Sequence, residues 1–239
     1  MEKKLYQTYQ EIERGHWWFI GRRRIISNIL NFSAKDIKIL DFGCNAGYLV
    51  GYLRNRGFNA EGCDKSSEAV DFGRAQGIKN LKLTENDFLP YGDESFDLVL
   101  CLDVLEHLSD DSAGLKEIKR VLKPGGRAVI MVPAFKFLWG LQDRVSHHCR
   151  RYVKLDLKKL AVANDLSIQR LSYFNSILFL PIAALRLWQK IIPPRRFSDF
   201  DLNYGFLNLI LKVIFLSEAF LLKFINFPFG VSLLAILKK

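Results

Sequence analysis

The sequence predicts an α/β fold, a mostly parallel sheet with helices on both faces. Three observations carry this. Short apolar runs alternate with amphipathic helical stretches over residues 37–132. The first run ends in an acid and a glycine-rich turn, Ile39-Leu-Asp-Phe-Gly-Cys-Asn-Ala-Gly47. The second run ends in another acid, Asp64.

Residues 5–31 read as helical, with Arg22, Arg23 and Arg24 just ahead of the apolar Ile25, Ile26, Ile29 and Leu30. Ile37–Asp41 is the first strand, and Gly47–Arg56 is a helix closed by Gly57. Asn59–Asp64 is the second strand, followed by a helix over Ser67–Gln76 that stops at Gly77. Leu81–Thr84 reads as a third strand, Phe96–Cys101 as a fourth and Ser112–Leu122 as a helix. Pro124-Gly125-Gly126 then turns the chain into a fifth strand, Arg127–Val132. After Pro133 come a helix at Asp156–Asn164, a sixth strand at Leu166–Tyr173 and a last strand at Phe229–Leu237. The division is an N-terminal helical cap (1–35), a core (36–175), an apolar and basic helical insertion (176–228) and the last core strand (229–239).

The 239 residues are 49% apolar and carry a net charge of +10, distributed unevenly. Residues 1–150 hold 22 Lys/Arg against 20 Asp/Glu, whereas residues 151–239 hold 13 against 5. A half both basic and apolar points to an anionic membrane surface or lipid more than to nucleic acid, with a merely solubilising surface as the plainer reading. Cys44, Cys63, Cys101 and Cys149 form no C-x-x-C pair, which argues against zinc and a disulfide framework. The charged N-terminus has no signal core, so the expected location is cytoplasmic, peripheral at the inner membrane face. Ser176–Trp188 is too short to span a bilayer, and Phe206–Leu222 is interrupted by Lys212 and Glu218.

Gly43 and Gly47 let backbone approach a ligand, and the following helix offers free N–H groups. The G-x-x-x-G spacing differs from the dinucleotide G-x-G-x-x-G, and Asp41 suits a ligand amino group better than a pyrophosphate. An acid about 20 residues past such a turn commonly binds a ribose diol, as Asp64 would. A helix cap is the other reading of Asp64, although Ser66 can fill that role.

ILDFGCNAGYL, Asp64, Asn86-Asp87-Phe88, FDLVLCLDVLEHL and LKPGGRAVIMVP stand in the order found in the class I S-adenosylmethionine-dependent methyltransferases, which residues 37–135 resemble. The resemblance implies a Rossmann-like, seven-stranded sheet with an antiparallel last strand, S-adenosylmethionine as cofactor, and no metal. Asn45 replaces a usual glycine, but Asn tolerates left-handed backbone. By the resemblance Asp41 lies near the methionine amino group. Gly43, Cys44, Asn45, Ala46 and Gly47 line the methionine and ribose, and Asp64 and Lys65 lie at the ribose. Asp87 and Phe88 meet the adenine, and Leu102 contacts the cofactor through its backbone. His107 reads as a general base or as a structural element.

His16-Trp-Trp-Phe-Ile-Gly-Arg-Arg-Arg24 either caps the cofactor, with Trp17 reaching substrate, or packs on the sheet edge. Asp143-Arg-Val-Ser-His-His-Cys-Arg-Arg-Tyr152 follows the fifth strand, at the end of the sheet where ligands bind. Here His147 or His148 is a candidate base, and Arg150, Arg151 and Tyr152 are candidate acceptor ligands. A loop ordered by its own hydrogen bonds is the other reading. These two stretches and Pro228-Phe-Gly-Val-Ser232 look like a bacterial subgroup associated with surface polysaccharide and glycolipid pathways. The expected reaction is methyl transfer to oxygen, a hydroxyl or carboxyl, of a small-molecule, sugar or lipid-linked acceptor. The alternatives are a nicotinamide-dependent oxidoreductase and a non-catalytic cofactor-binding protein at a membrane.

Overall fold

The computed structural model describes residues 11–30, 36–85, 88–192 and 205–239. Asn86, Asp87, Pro193, Pro194, Arg195, Arg196 and most of the chain ahead of Trp17 lie outside them, so the adenine role expected of Asp87 does too.

The order is α1 (Trp17–Leu30), β1 (Lys38–Phe42), α2 (Tyr48–Asn55), β2 (Asn59–Asp64), α3 (Ser67–Ala75), β3 (Leu81–Leu83) and β4 (Phe96–Leu102). Then follow α4 (Asp111–Val121), β5 (Leu122–Pro133), α5 (Leu141–Val145), α6 (Lys154–Ala163), β6 (Ser167–Phe174), α7 (Phe179–Ile191), α8 (Gly205–Leu221) and β7 (Ser232–Lys238). The seven strands lie in the order β3-β2-β1-β4-β5-β7-β6. The first five pair in parallel, and β7 runs antiparallel between β5 and β6. The chain leaves β1 in one direction and returns to it at β4, so the crevice for a ligand opens beyond the carboxyl ends of those two strands.

Alternation along the strands builds two cores. Leu40, Phe42, Ala128, Ile130, Leu233 and Ala235 meet α4 and α6 through Leu115, Ile118, Leu157 and Ala161. The intervening Ile39, Val129, Met131 and Leu234 meet α1, α2 and α8 through Ile26, Leu53, Phe215 and Ala219.

Most of the expected elements are present with ends shifted by a residue or two; the helix expected over 5–31 falls partly outside the described residues and is interrupted at His16 within them. Gly47 caps α2 in a left-handed conformation instead of opening it. Leu102 closes β4 rather than following it. β5 begins earlier than expected, because Leu122 pairs with Phe96 before the ladder resumes at Leu98 and Arg127. Pro124-Gly125-Gly126 is thus a bulge within the strand rather than a turn ahead of it. The last strand starts at Ser232, not Phe229, and the insertion between β6 and β7 is the helices α7 and α8. Among the described residues no helix is long and apolar enough to cross a membrane.

Candidate active site

The turn after β1 carries left-handed backbone at Gly43 (φ 73°), Asn45 (φ 50°) and Gly47 (φ 76°). Asn therefore serves where a third glycine is usual. A Cβ on Gly43 would stand 2.4 Å from a methyl carbon of Val104, so the turn and the segment after β4 touch. The amides of Gly43 and Cys44 donate to the Cys63 carbonyl at 2.8 and 3.0 Å. Asp64, at the end of β2, accepts from the Asn45 amide at 2.7 Å and from the Ser66 amide at 3.0 Å. Ser66 itself caps α3 by accepting from the Ala69 amide. Asp64 thus leaves the helix cap to Ser66 and holds the glycine turn from the strand end.

Beneath the turn, Asp41 is buried, and burial pushes its carboxyl up to about 7 against the opposing pull of Arg22. A small pocket beside it is lined by Glu13, Phe19, Arg22, Tyr48, Leu49 and Leu102. Burial raises Glu13 to about 7 as well. Arg22 bridges the mouth to Asp103 at 2.6 Å. Asp41, with Glu13 and Asp64 within electrostatic reach, makes this end of the sheet acidic, a donor set that fits the ammonium and sulfonium of S-adenosylmethionine. Phe88 sits half out in solvent with the Arg120 guanidinium 4.7 Å from its ring centre.

The N-terminal aromatic stretch divides between its two readings. Phe19 and Arg22 reach the pocket. Trp17 and Trp18 pack instead on Phe215 of α8, with ring centres 5.6 and 5.4 Å away, and the Trp17 amide donates to Asn208. Trp17 therefore anchors a helix pair, and its expected contact with substrate is not what its packing supplies.

The Asp143–Tyr152 loop also divides. His148 Nδ1 lies 2.9 Å from a carboxylate oxygen of Asp143, which accepts twice from Arg151, at 2.7 and 3.0 Å. Burial would raise the Asp143 carboxyl, but the bonds from His148 and Arg151 win and hold it well below the usual carboxylate range. The His148 ring stands edge-on to that of His107, centre to centre 4.7 Å. Burial, with His148 and Lys65 nearby, lowers His107 to about 4, so it is neutral near pH 7. Glu106 beside them is fully buried. His147 is exposed, in left-handed backbone at the end of α5, and does not join this group.

Arg151, Arg150 and Tyr152, expected as acceptor ligands, are occupied within the protein. Arg151 also donates to the Ala134 carbonyl. Arg150 reaches the Leu108 and Ser109 carbonyls and Asp111. Tyr152 is buried with its hydroxyl on Asp111 at 2.8 Å. They order the loop because their polar atoms are already matched. Sequence reasoning passed over Asp143 and Asp103, and saw Glu106 only as a neighbour of His107. The one available signal was acid-to-histidine spacing within Asp143–His148, while the Glu106 contact depends on the sheet.

A methyltransferase domain family model matches residues 40–130. A ubiquinone biosynthesis O-methyltransferase of Idiomarina loihiensis is 25% identical over 189 residues, 70% of this chain and 72% of that protein. An uncharacterized protein of Methanocaldococcus jannaschii is 33% identical over 162 residues, 67% of this chain and 64% of its own length. The methyltransferase solved in complex with the Haloferax volcanii Trm112 activator superposes with TM-score 0.63 at 19% identity, over 98% of this chain and 94% of that one. A SAM-dependent methyltransferase of Archaeoglobus fulgidus does so with TM-score 0.59 at 16% identity, over 98% and 99%. At these identities the superpositions speak for the fold, and the family match speaks for the chemistry of the glycine turn and the strands around it. Residues 40–130 thus carry the methyltransferase domain, and the chain has the class I, Rossmann-like fold of the S-adenosylmethionine-dependent methyltransferases.

Proposed function

We propose that this chain methylates a hydroxyl of a small amphiphilic acceptor, a sugar or a lipid-linked molecule, at an anionic membrane surface. The observation that carries the reading is a junction. The acidic end of the sheet and the Glu106–His107–His148 group meet where Gly43 touches Val104, two residues ahead of Glu106. Donor and acceptor would be held on the two sides of that contact.

Bound S-adenosylmethionine supplies a methyl group on a sulfonium. The chain's own residues align it and handle one proton. Asp41 and Glu13 attract the ammonium, Asp64 receives the ribose diol, and Arg22 takes the carboxylate by exchanging it for its Asp103 partner. His148 works on the acceptor hydroxyl through Nε2, since Asp143 engages Nδ1 and fixes which nitrogen carries the lone pair. The relatives named for ubiquinone biosynthesis O-methylation favour oxygen as the atom methylated. The membrane setting rests on α7 and α8, which expose Trp188 (58%), Ile191 (77%) and Phe206 (77%) beside Lys190, Lys212 and Lys223.

Calorimetry and turnover test this. S-adenosylhomocysteine should bind and NAD should not, and Asp64→Ala should weaken binding by ~1–3 kcal/mol, the cost of unmatched polar partners. With labelled cofactor, a lipid or glycan extract should gain one methyl, and His148→Ala should cut turnover about 10²–10⁴-fold at unchanged cofactor affinity. NAD binding without S-adenosylhomocysteine binding overturns the cofactor assignment; full turnover by His148→Ala overturns the acceptor-side assignment.

A further inference from the structure

We propose that Glu106, His107 and His148 hold a divalent transition-metal ion. Glu106 follows β4, is wholly buried, and neither of its carboxylate oxygens has a hydrogen-bond partner among the described residues. A buried carboxylate left so is costly unless a proton or a cation joins it. What faces it is a pair of imidazoles. His148 Nε2 lies 4.0 Å from Glu106 Oε1, and one ligand atom from each of the three residues lies within 4.8 Å of the others. Ligand atoms around a tetrahedral ion, each about 2.1 Å from it, stand about 3.4 Å apart, so closing the site takes a shift of about 1 Å.

The surroundings suit an ion. The Asp143 carboxylate holds His148 Nδ1 and is itself held by Arg151, so the ring is oriented with Nε2 toward Glu106. This carboxylate–histidine arrangement commonly backs a metal ligand. His107 is kept neutral by burial, the form that binds metal. Two nitrogens and one carboxylate favour zinc, cobalt, iron or manganese over magnesium and calcium, which prefer all-oxygen shells. Three protein ligands leave a position open. Resting on the reading above, an ion held there would take up the His148 Nε2 lone pair in place of its role as base, and would itself make an acceptor hydroxyl at the open position lose its proton to solvent more readily. The sequence alone predicts no metal, because only the sheet brings the segment after β4 against the loop after β5.

The test uses the full chain stripped with a chelator, carrying Cys149→Ser so that this exposed thiol contributes nothing. Titration with cobalt, followed by visible d–d absorption, should show one site per chain, and zinc should displace the cobalt. His107→Gln, His148→Gln and Glu106→Gln should each weaken cobalt binding at least 10-fold, and S-adenosylhomocysteine binding reports that each is folded. If Glu106→Gln unfolds, the two histidine variants decide. No stoichiometric cobalt or zinc site in the parent, or unchanged affinity in folded histidine variants, overturns the proposal and leaves Glu106 a protonated structural acid. Cobalt binding without S-adenosylhomocysteine binding would leave the metal site standing and sink the methyltransferase reading instead.

Discussion

Asp41 is a carboxyl whose surroundings oppose its charge until a cation arrives. Burial raises it to about 7, and Arg22 only partly offsets this. A ligand ammonium would favour the ionised form, so binding should release a proton near neutral pH. The sign follows: below pH 7 Asp41 is protonated and must lose its proton for the cofactor, so affinity falls as the medium becomes more acid. S-adenosylhomocysteine affinity should drop by up to about 10-fold per pH unit below that point for each group released. Glu13, raised to about 7 in the pocket beside it, adds to the effect. Calorimetry in buffers of different ionisation enthalpy counts the protons, and Asp41→Asn should remove part of the release. A proton count of zero near pH 7 would show that neither acid couples to the ligand. His148 and Asp143 illustrate the same scale differently, since one hydrogen bond decides which ring nitrogen is available.

At the scale of elements, the contact between α1 and α8 shapes the pocket wall. A Cβ on Gly21 would lie 2.1 Å from the Phe215 ring, so the helices approach only because residue 21 has no side chain. Trp17 and Trp18 clasp the same ring. Glu218 fastens the other side of α8 by accepting from the Ser176 and Ile177 amides at 2.7 and 2.9 Å. Gly21→Ala removes some helix-disfavouring freedom but forces the ring aside. Overpacking of this kind costs typically 1–3 kcal/mol, more than the ~1 kcal/mol gained from helix propensity. Urea unfolding should show a net loss of stability. Because Arg22 and Phe19 ride on α1, cofactor affinity should fall with it. A Gly21→Ala variant as stable as the parent would mean that the two helices part without cost.

Over the whole molecule, charge and apolar surface gather in the C-terminal half. α8 buries Phe215 and Ala219 against α1 and the sheet but exposes Phe206, Leu207, Ile210, Val213 and Leu221. Core packing therefore accounts for one side of that helix and not the other. Large exposed apolar surface of this sort marks an interaction site. Lys190, Lys212 and Lys223 would each add about 1 kcal/mol against anionic headgroups. Co-sedimentation should recover the protein with phosphatidylserine vesicles at low salt and lose it at high salt or on neutral vesicles. Replacing Trp188 and Phe206 by Ser together should abolish binding while leaving S-adenosylhomocysteine affinity intact. Indifference to anionic vesicles at low salt would end the membrane reading.

The sequence by itself determined the strand-and-helix succession and the glycine turn between two strand-end acids. Those features are local: hydrophobic period, glycines that accept left-handed backbone, and acids at strand ends lie within short stretches of chain. The placing of Asp41, Gly43, Asn45, Gly47 and Asp64 around that turn was legible for that reason. Only the tertiary structure decided which polar side chains of the loop after β5 are already paired. Arg150, Arg151 and Tyr152 have the chemistry of ligands, yet each is matched to a protein partner that a linear reading cannot reveal. His147 and His148 are neighbours in sequence, but left-handed backbone at His147 leaves one in solvent and the other against Glu106 and Asp143. Such choices depend on which strands the sheet places side by side, and that order arises from burying two apolar faces at once rather than from any single segment.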